Sequence, residues 1–111
     1  MKDFRSYLND TELLMKAFAS INMSPKEKAD LGELYASTLG VSVTRDKGNR
    51  VRGDTVYSCS QIGKCLSAYF DGIRPNDLMM WVGLIKPQSD GSEQWVMRPE
   101  IRSAIKKLGW F

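Results

Sequence analysis

The residues best able to do covalent chemistry in this chain are few: two cysteines, Cys59 and Cys65, and the serines Ser58 and Ser60 that flank the first of them. There is no histidine, so the commonest general base is missing. Cys59 falls near the start of a predicted helix, where the helix dipole can lower a thiol pKa, yet it has no imidazole partner. Ser58 and Ser60 are explained by helix capping. Two soft ligands fall short of the roughly four that a structural zinc site wants. No glycine-rich phosphate loop and no carboxylate pair at a telling spacing is present. The sequence therefore predicts no enzyme, no metal and no cofactor, and shows no small-molecule substrate.

What remains is recognition chemistry carried by charge. The net charge is +3, but it is unevenly spread. Residues 1–40 hold five basic and six acidic side chains, a balance of −1, whereas residues 41–111 hold eleven and seven, a balance of +4. Such a field suits a polyanionic partner. The chain's 111 residues fit one domain able to bury a real core. No apolar run approaches the ~20 residues of a membrane span, and Met1-Lys2-Asp3-Phe4-Arg5 lacks the apolar core of a secretion signal. A cytoplasmic protein with reduced thiols is the expectation.

The elements that must position the charged residues follow from capping and periodicity. Asn9 or Asp10 caps a helix whose face is Leu13, Leu14, Ala17, Phe18 and Ile21. Ser24-Pro25-Lys26-Glu27 is a capping box with a first-turn proline. It predicts a helix to Leu39, closed by Gly40, with Leu31, Leu34, Tyr35 and Leu39 buried. Val41–Val43 and Val51–Tyr57 look strand-like around a polar turn, residues 45–50. Ser58 then caps a helix with Ile62, Cys65, Leu66 and Tyr69 inward. Pro75 opens a short helix to Val82. Residues 84–86 and 94–97 form a hairpin across an Asp90-Gly91 turn. Pro99 opens a last helix to about Lys107, with Ile101, Ile105 and Leu108 facing inward and Trp110-Phe111 packing back.

The order of strand, helix, four-residue turn with glycine, short helix, hairpin and helix predicts a winged helix-turn-helix. The expected fold is mostly α with a small β-hairpin (α+β), a single domain over 1–111. Residues 51–111 form its core, and residues 1–40 add two N-terminal helices. The run Ser60-Gln61-Ile62-Gly63-Lys64, the later Gly83-Leu84-Ile85, and Trp95 with the closing helix resemble the C-terminal winged-helix domain of phage antirepressors. They are also similar to winged-helix regulators of phages and mobile elements. The likeness spans about residues 51–111. Met79 and Val82 stand where such domains usually carry leucine-like core residues, and the first 50 residues match no such family. The resemblance implies sequence-specific binding of double-stranded DNA, often by a dimer, in gene control.

In a helix-turn-helix the second helix enters the major groove. Residues 75–82 would then be the reader, with Arg74, Asn76 and Asp77 near base edges. Lys64 would reach a phosphate from the preceding helix. Lys86, Ser89, Ser92 and Arg98 would do so from a wing over about 84–97. The loop with Arg45, Lys47, Arg50 and Arg52 would add backbone contacts. A rival reading starts from the same helix. It holds no lysine or arginine, but Met79, Met80 and Trp81, residue types suited to an adaptable protein interface. Met80 and Trp81, and the Leu13, Leu14 and Phe18 stripe, would then contact a protein partner or a second copy. A phage-type inhibitor or adaptor acting on a host protein fits that alternative.

Overall fold

A computed structural model describes residues 3–111. The fold is α+β, with five α-helices, one 3₁₀ turn and a four-stranded antiparallel sheet among these residues. The helices are α1 (Phe4–Leu8), α2 (Thr11–Ser20), α3 (Pro25–Ala36), α4 (Asp54–Tyr69) and α5 (Pro99–Leu108). The strands are β1 (Val41–Arg45), β2 (Val51–Arg52), β3 (Gly83–Pro87) and β4 (Glu93–Met97). They lie in the order β2-β1-β4-β3. Register places Val43 opposite Glu93 and Val41 opposite Trp95, so the turns of both hairpins sit at the same end of the sheet.

Local chemistry explains most boundaries. Asp10 accepts the Leu13 N–H and starts α2. Ser24 and Glu27 close the capping box of α3 in both directions. That helix stops at Ala36, so Leu39 stands in a turn at 87% exposure rather than in the buried stripe. Helix α1 has no counterpart in the sequence reading. Asp3 caps it, and it adds Leu8 to the core.

Two elements differ from expectation. Helix α4 starts at Asp54, so most of the predicted strand 51–57 is helical and only Val51–Arg52 is extended. Thr55, Val56, Cys59 and Ile62 are all buried. Their spacing buries one helical face, and that packing overrides the β preference of Thr55 and Val56. Ser58 is therefore no cap; it is buried in α4 and its hydroxyl donates to Asp30 of α3.

The expected reading helix 75–82 is not formed. Only Leu78–Trp81 coils, as a single 3₁₀ turn. Trp81 and Val82 are fully buried and Leu78, Met79 and Met80 half-buried. Residues 78–82 are apolar throughout and have no polar face to give to solvent, so they pack down instead. Gly63 permits this: a Cβ there would lie 2.0 Å from the Leu78 carbonyl oxygen.

One apolar core joins the whole chain. Leu8, Leu14, Ala17, Phe18, Leu31 and Leu34 belong to the same buried cluster as Ile62, Leu66, Trp95 and Ile105. Residues 3–40 thus build the core rather than append to it. Trp81 lies between the rings of Phe4 and Phe70, at 4.7 and 5.4 Å. Its indole N–H donates to Ser67 at 2.7 Å. No helix among the described residues is long and apolar enough to cross a membrane.

Candidate nucleic-acid interface

The polar turn after β1 is organised by one carboxylate. Asp46 accepts the backbone N–H groups of Gly48 and Arg50, each at 2.9 Å, and the Nε–H of Arg52 at 2.7 Å. These bonds, the Arg50 amide foremost, hold the Asp46 carboxyl below its ordinary pKa. Asn49 takes a left-handed conformation, φ 62°, which asparagine tolerates. Its carbonyl accepts from Arg45 at 2.8 Å. Arg45 also forks onto Glu93 of β4, at 2.6 and 2.8 Å. That pairing raises the arginine pKa and lowers the glutamate's.

Beside this hairpin lies a cleft of about 520 Å³, lined by Arg45, Asn49, Arg50, Val51, Arg52, Ser60, Arg74, Asp77, Leu78 and Met79. Three chain segments meet in it: the β1–β2 hairpin, the middle of α4, and the stretch from Arg74 to the 3₁₀ turn. Arg45 is committed to Glu93. Arg52 uses its Nε on Asp46, and no other bond of its guanidinium is found among the described residues. Arg50 forms no ion pair there, and Arg74 reaches only the Pro75 carbonyl at 3.5 Å, the far limit of a hydrogen bond. Asp77 is the one acid in the lining, and it forms no ion pair among the described residues. The cleft therefore offers Arg50, Arg74 and the free nitrogens of Arg52 to an anion.

The structure gathers some of the expected contact residues and disperses others. Arg45, Arg50, Arg52, Arg74 and Asp77 share the cleft. Lys47 is exposed in the adjoining turn, Asn76 is exposed beside Asp77, and Lys64 is exposed on α4. Ser89 and Ser92 are exposed at the same end of the sheet but do not line the cleft, and Ser92 is tied to Asp90. Lys86 lines a different depression, with Leu39 and Val96. Arg98 is a correction. It is 5% exposed, and its Nε–H donates to the Met80 carbonyl at 2.6 Å. It serves a carbonyl freed by the 3₁₀ turn and cannot meet a phosphate. Burial lowers its pKa, opposed by Glu100.

The expected protein interface is corrected too. Trp81, Leu14 and Phe18 are buried in the core, because a small domain needs its large apolar side chains there. Leu13 and Met80 are half-buried. The stripe on α2 is thus not an exposed dimer contact.

Among the thiols, Cys59 is buried and its pKa is pushed up to about 12 by that burial, which disarms it as a nucleophile. The described residues contain no cluster of three or more His, Cys, Asp or Glu placed to hold a metal. Sequence reasoning missed Asp46, Glu93 and Ser60. Only Asp46 carried a local signal, an Asx residue opening a turn that holds Gly48. No protein-family model, curated protein or solved structure matches the chain.

Proposed function

We propose that this is a nucleic-acid-binding regulatory protein that grips phosphodiester groups in the arginine cleft. One observation carries the reading: Arg74 is brought from a distant segment to the hairpin arginines Arg50 and Arg52, and the three line one cleft with guanidinium donors left over. Guanidinium groups suit phosphate oxygens because their planar N–H forks match them. Lys47 and Lys64, outside the rim, extend the positive field.

The contact chemistry differs from that of a helix-turn-helix. A 3₁₀ turn of four residues offers no length to lie in a major groove, so the reader proposed from sequence is replaced by the hairpin and its neighbours. What persists of the winged-helix reading is the succession of α4, the β3–β4 hairpin and α5. A regulator of phage or mobile-element type remains the role this reading favours, with DNA as the partner. The protein-partner alternative loses support, since Trp81, Leu14 and Phe18 serve the core.

Fluorescence anisotropy with labelled mixed-sequence DNA, titrated with salt, tests the proposal. Affinity should fall steeply as salt rises. The double variant Arg50→Ala, Arg74→Ala should bind more weakly, with the log–log salt slope flatter by roughly 1.4–1.8. Glu93→Gln, which frees Arg45, should bind several-fold more tightly. No binding of any nucleic acid at low salt would defeat the reading and return the question to a protein partner.

A further inference from the structure

We propose that the cleft takes a single nucleic-acid strand rather than a duplex, with Tyr57 as the platform on which a base stacks. The proposal rests on the phosphate-binding reading above and narrows it.

The first argument is shape. Proteins read a duplex by inserting a helix or ribbon into a groove about 12 Å wide. Here the arginines line a hollow, and the segment expected to protrude is packed against Gly63. This open hollow of about 520 Å³ has room for a nucleotide unit of a flexible strand.

The second argument is the crest of α4. At 100° per residue, Tyr57, Ser60 and Lys64 fall within an arc of about 60°. Ser60 lines the cleft; Tyr57 stands one turn before it, and Lys64, one turn after, lines a separate depression with Gln61 and Cys65. Tyr57 is 65% exposed, and no hydrogen bond of its hydroxyl is found among the described residues. Its neighbours Val56, Ser58 and Cys59 supply the buried contacts of this turn. Tyr57 does not line the cleft itself; its exposed ring stands one helical turn from Ser60, which does, and single-strand binders combine such rings, on which any base stacks, with arginines following the backbone.

The third argument is charge on the other flank. Beyond Tyr57, toward α3, lie Asp54, Asp30 and Glu33; the direct Lys26–Asp30 bond first, and then the field of these acids, raises the Lys26 pKa. On that flank Asp30 is taken up by Lys26 and Ser58, whereas the side of Ser60 offers arginine donors without acid partners. The strand is expected to run along the cleft and past Tyr57.

The test compares labelled oligothymidine with a duplex of equal length, at low salt, for the full chain and for Tyr57→Ala, Tyr57→Phe and the arginine double variant. Oligothymidine should bind about ten-fold more tightly than duplex or better. Tyr57→Ala should lose about 5- to 100-fold on the single strand, with little change on duplex, whereas Tyr57→Phe should keep the affinity. Being exposed, Tyr57 can be replaced without unfolding the chain, and circular dichroism would verify that. Equal binding of both forms, or an unchanged Tyr57→Ala, overturns the single-strand proposal. If the arginine variant still weakens both forms, the phosphate reading stands alone. If neither form binds, both readings fall.

Discussion

The two hairpins of the sheet have turns at the same end and are built from opposite materials. In β3–β4, Gly83, Trp95 and Met97 are buried, and β4 is an interior strand. In β1–β2 no residue is fully buried. Its turn is held by Asp46 and its first strand is tied to β4 by Arg45–Glu93. One hairpin is held by full apolar burial; the other packs Val41, Val43 and Val51 only partly against the core and adds polar tethers. The second can therefore change its surface residues with little effect on folding, and it is the one that carries the cationic cleft. Stability and binding should separate along this line.

The largest effect should come from the apolar hairpin. Trp95→Ala should cost roughly 3–5 kcal/mol in urea unfolding, the usual range for emptying a buried aromatic site. Arg50→Ala with Arg74→Ala should leave the unfolding midpoint almost unmoved while weakening binding. Equal losses of stability in both variants would erase the contrast.

Next in size is Gly63→Ala. A methyl 2.0 Å from the Leu78 oxygen meets backbone, which cannot swing aside. Overpacking of this kind costs about 1–3 kcal/mol or more, offset by the ~1 kcal/mol that alanine gains over glycine in a helix. A net loss of up to about 2 kcal/mol is expected. Weaker nucleic-acid binding should accompany it, because Leu78 and Met79 form a wall of the cleft.

The smallest effect concerns the polar tether. The Asp46 pKa is lowered in the folded chain, first by the Arg50 amide and then by Arg52. Its contribution to turn order is therefore present above the ordinary carboxylate pKa and is lost as pH falls through the lowered value. In NMR spectra the Gly48 and Arg50 amides should shift together in that acid window, while the Trp95 indole stays unmoved. Movement of all three at one pH would mean global acid unfolding instead.

Much of the framework was legible locally. Asp10, the Ser24–Glu27 box, Pro99, and the Asp90-Gly91 turn each acted within a few residues, as caps and turns do. The segments 51–57 and 75–82 were misread because their side chains answer to distant partners. Thr55 and Val56 are strand formers recruited into a buried helical face. Pro75 looked like a helix start, but Gly63, twelve residues earlier in the chain, lets the segment collapse onto α4. Arg98 looked like a wing cation until its burial against Met80 was seen.

The sequence by itself determined the chemical repertoire: no histidine, two unassisted thiols, and a surplus of cations after residue 40. It also determined where most helices begin and where the strands of the second hairpin lie, since those choices rest on bonds between near neighbours. Only the tertiary structure decided which cations meet. Arg74 joins the loop arginines Arg50 and Arg52 because α4 and the 3₁₀ turn pack closely beside the hairpin, and such long-range packing leaves no periodic trace in the chain.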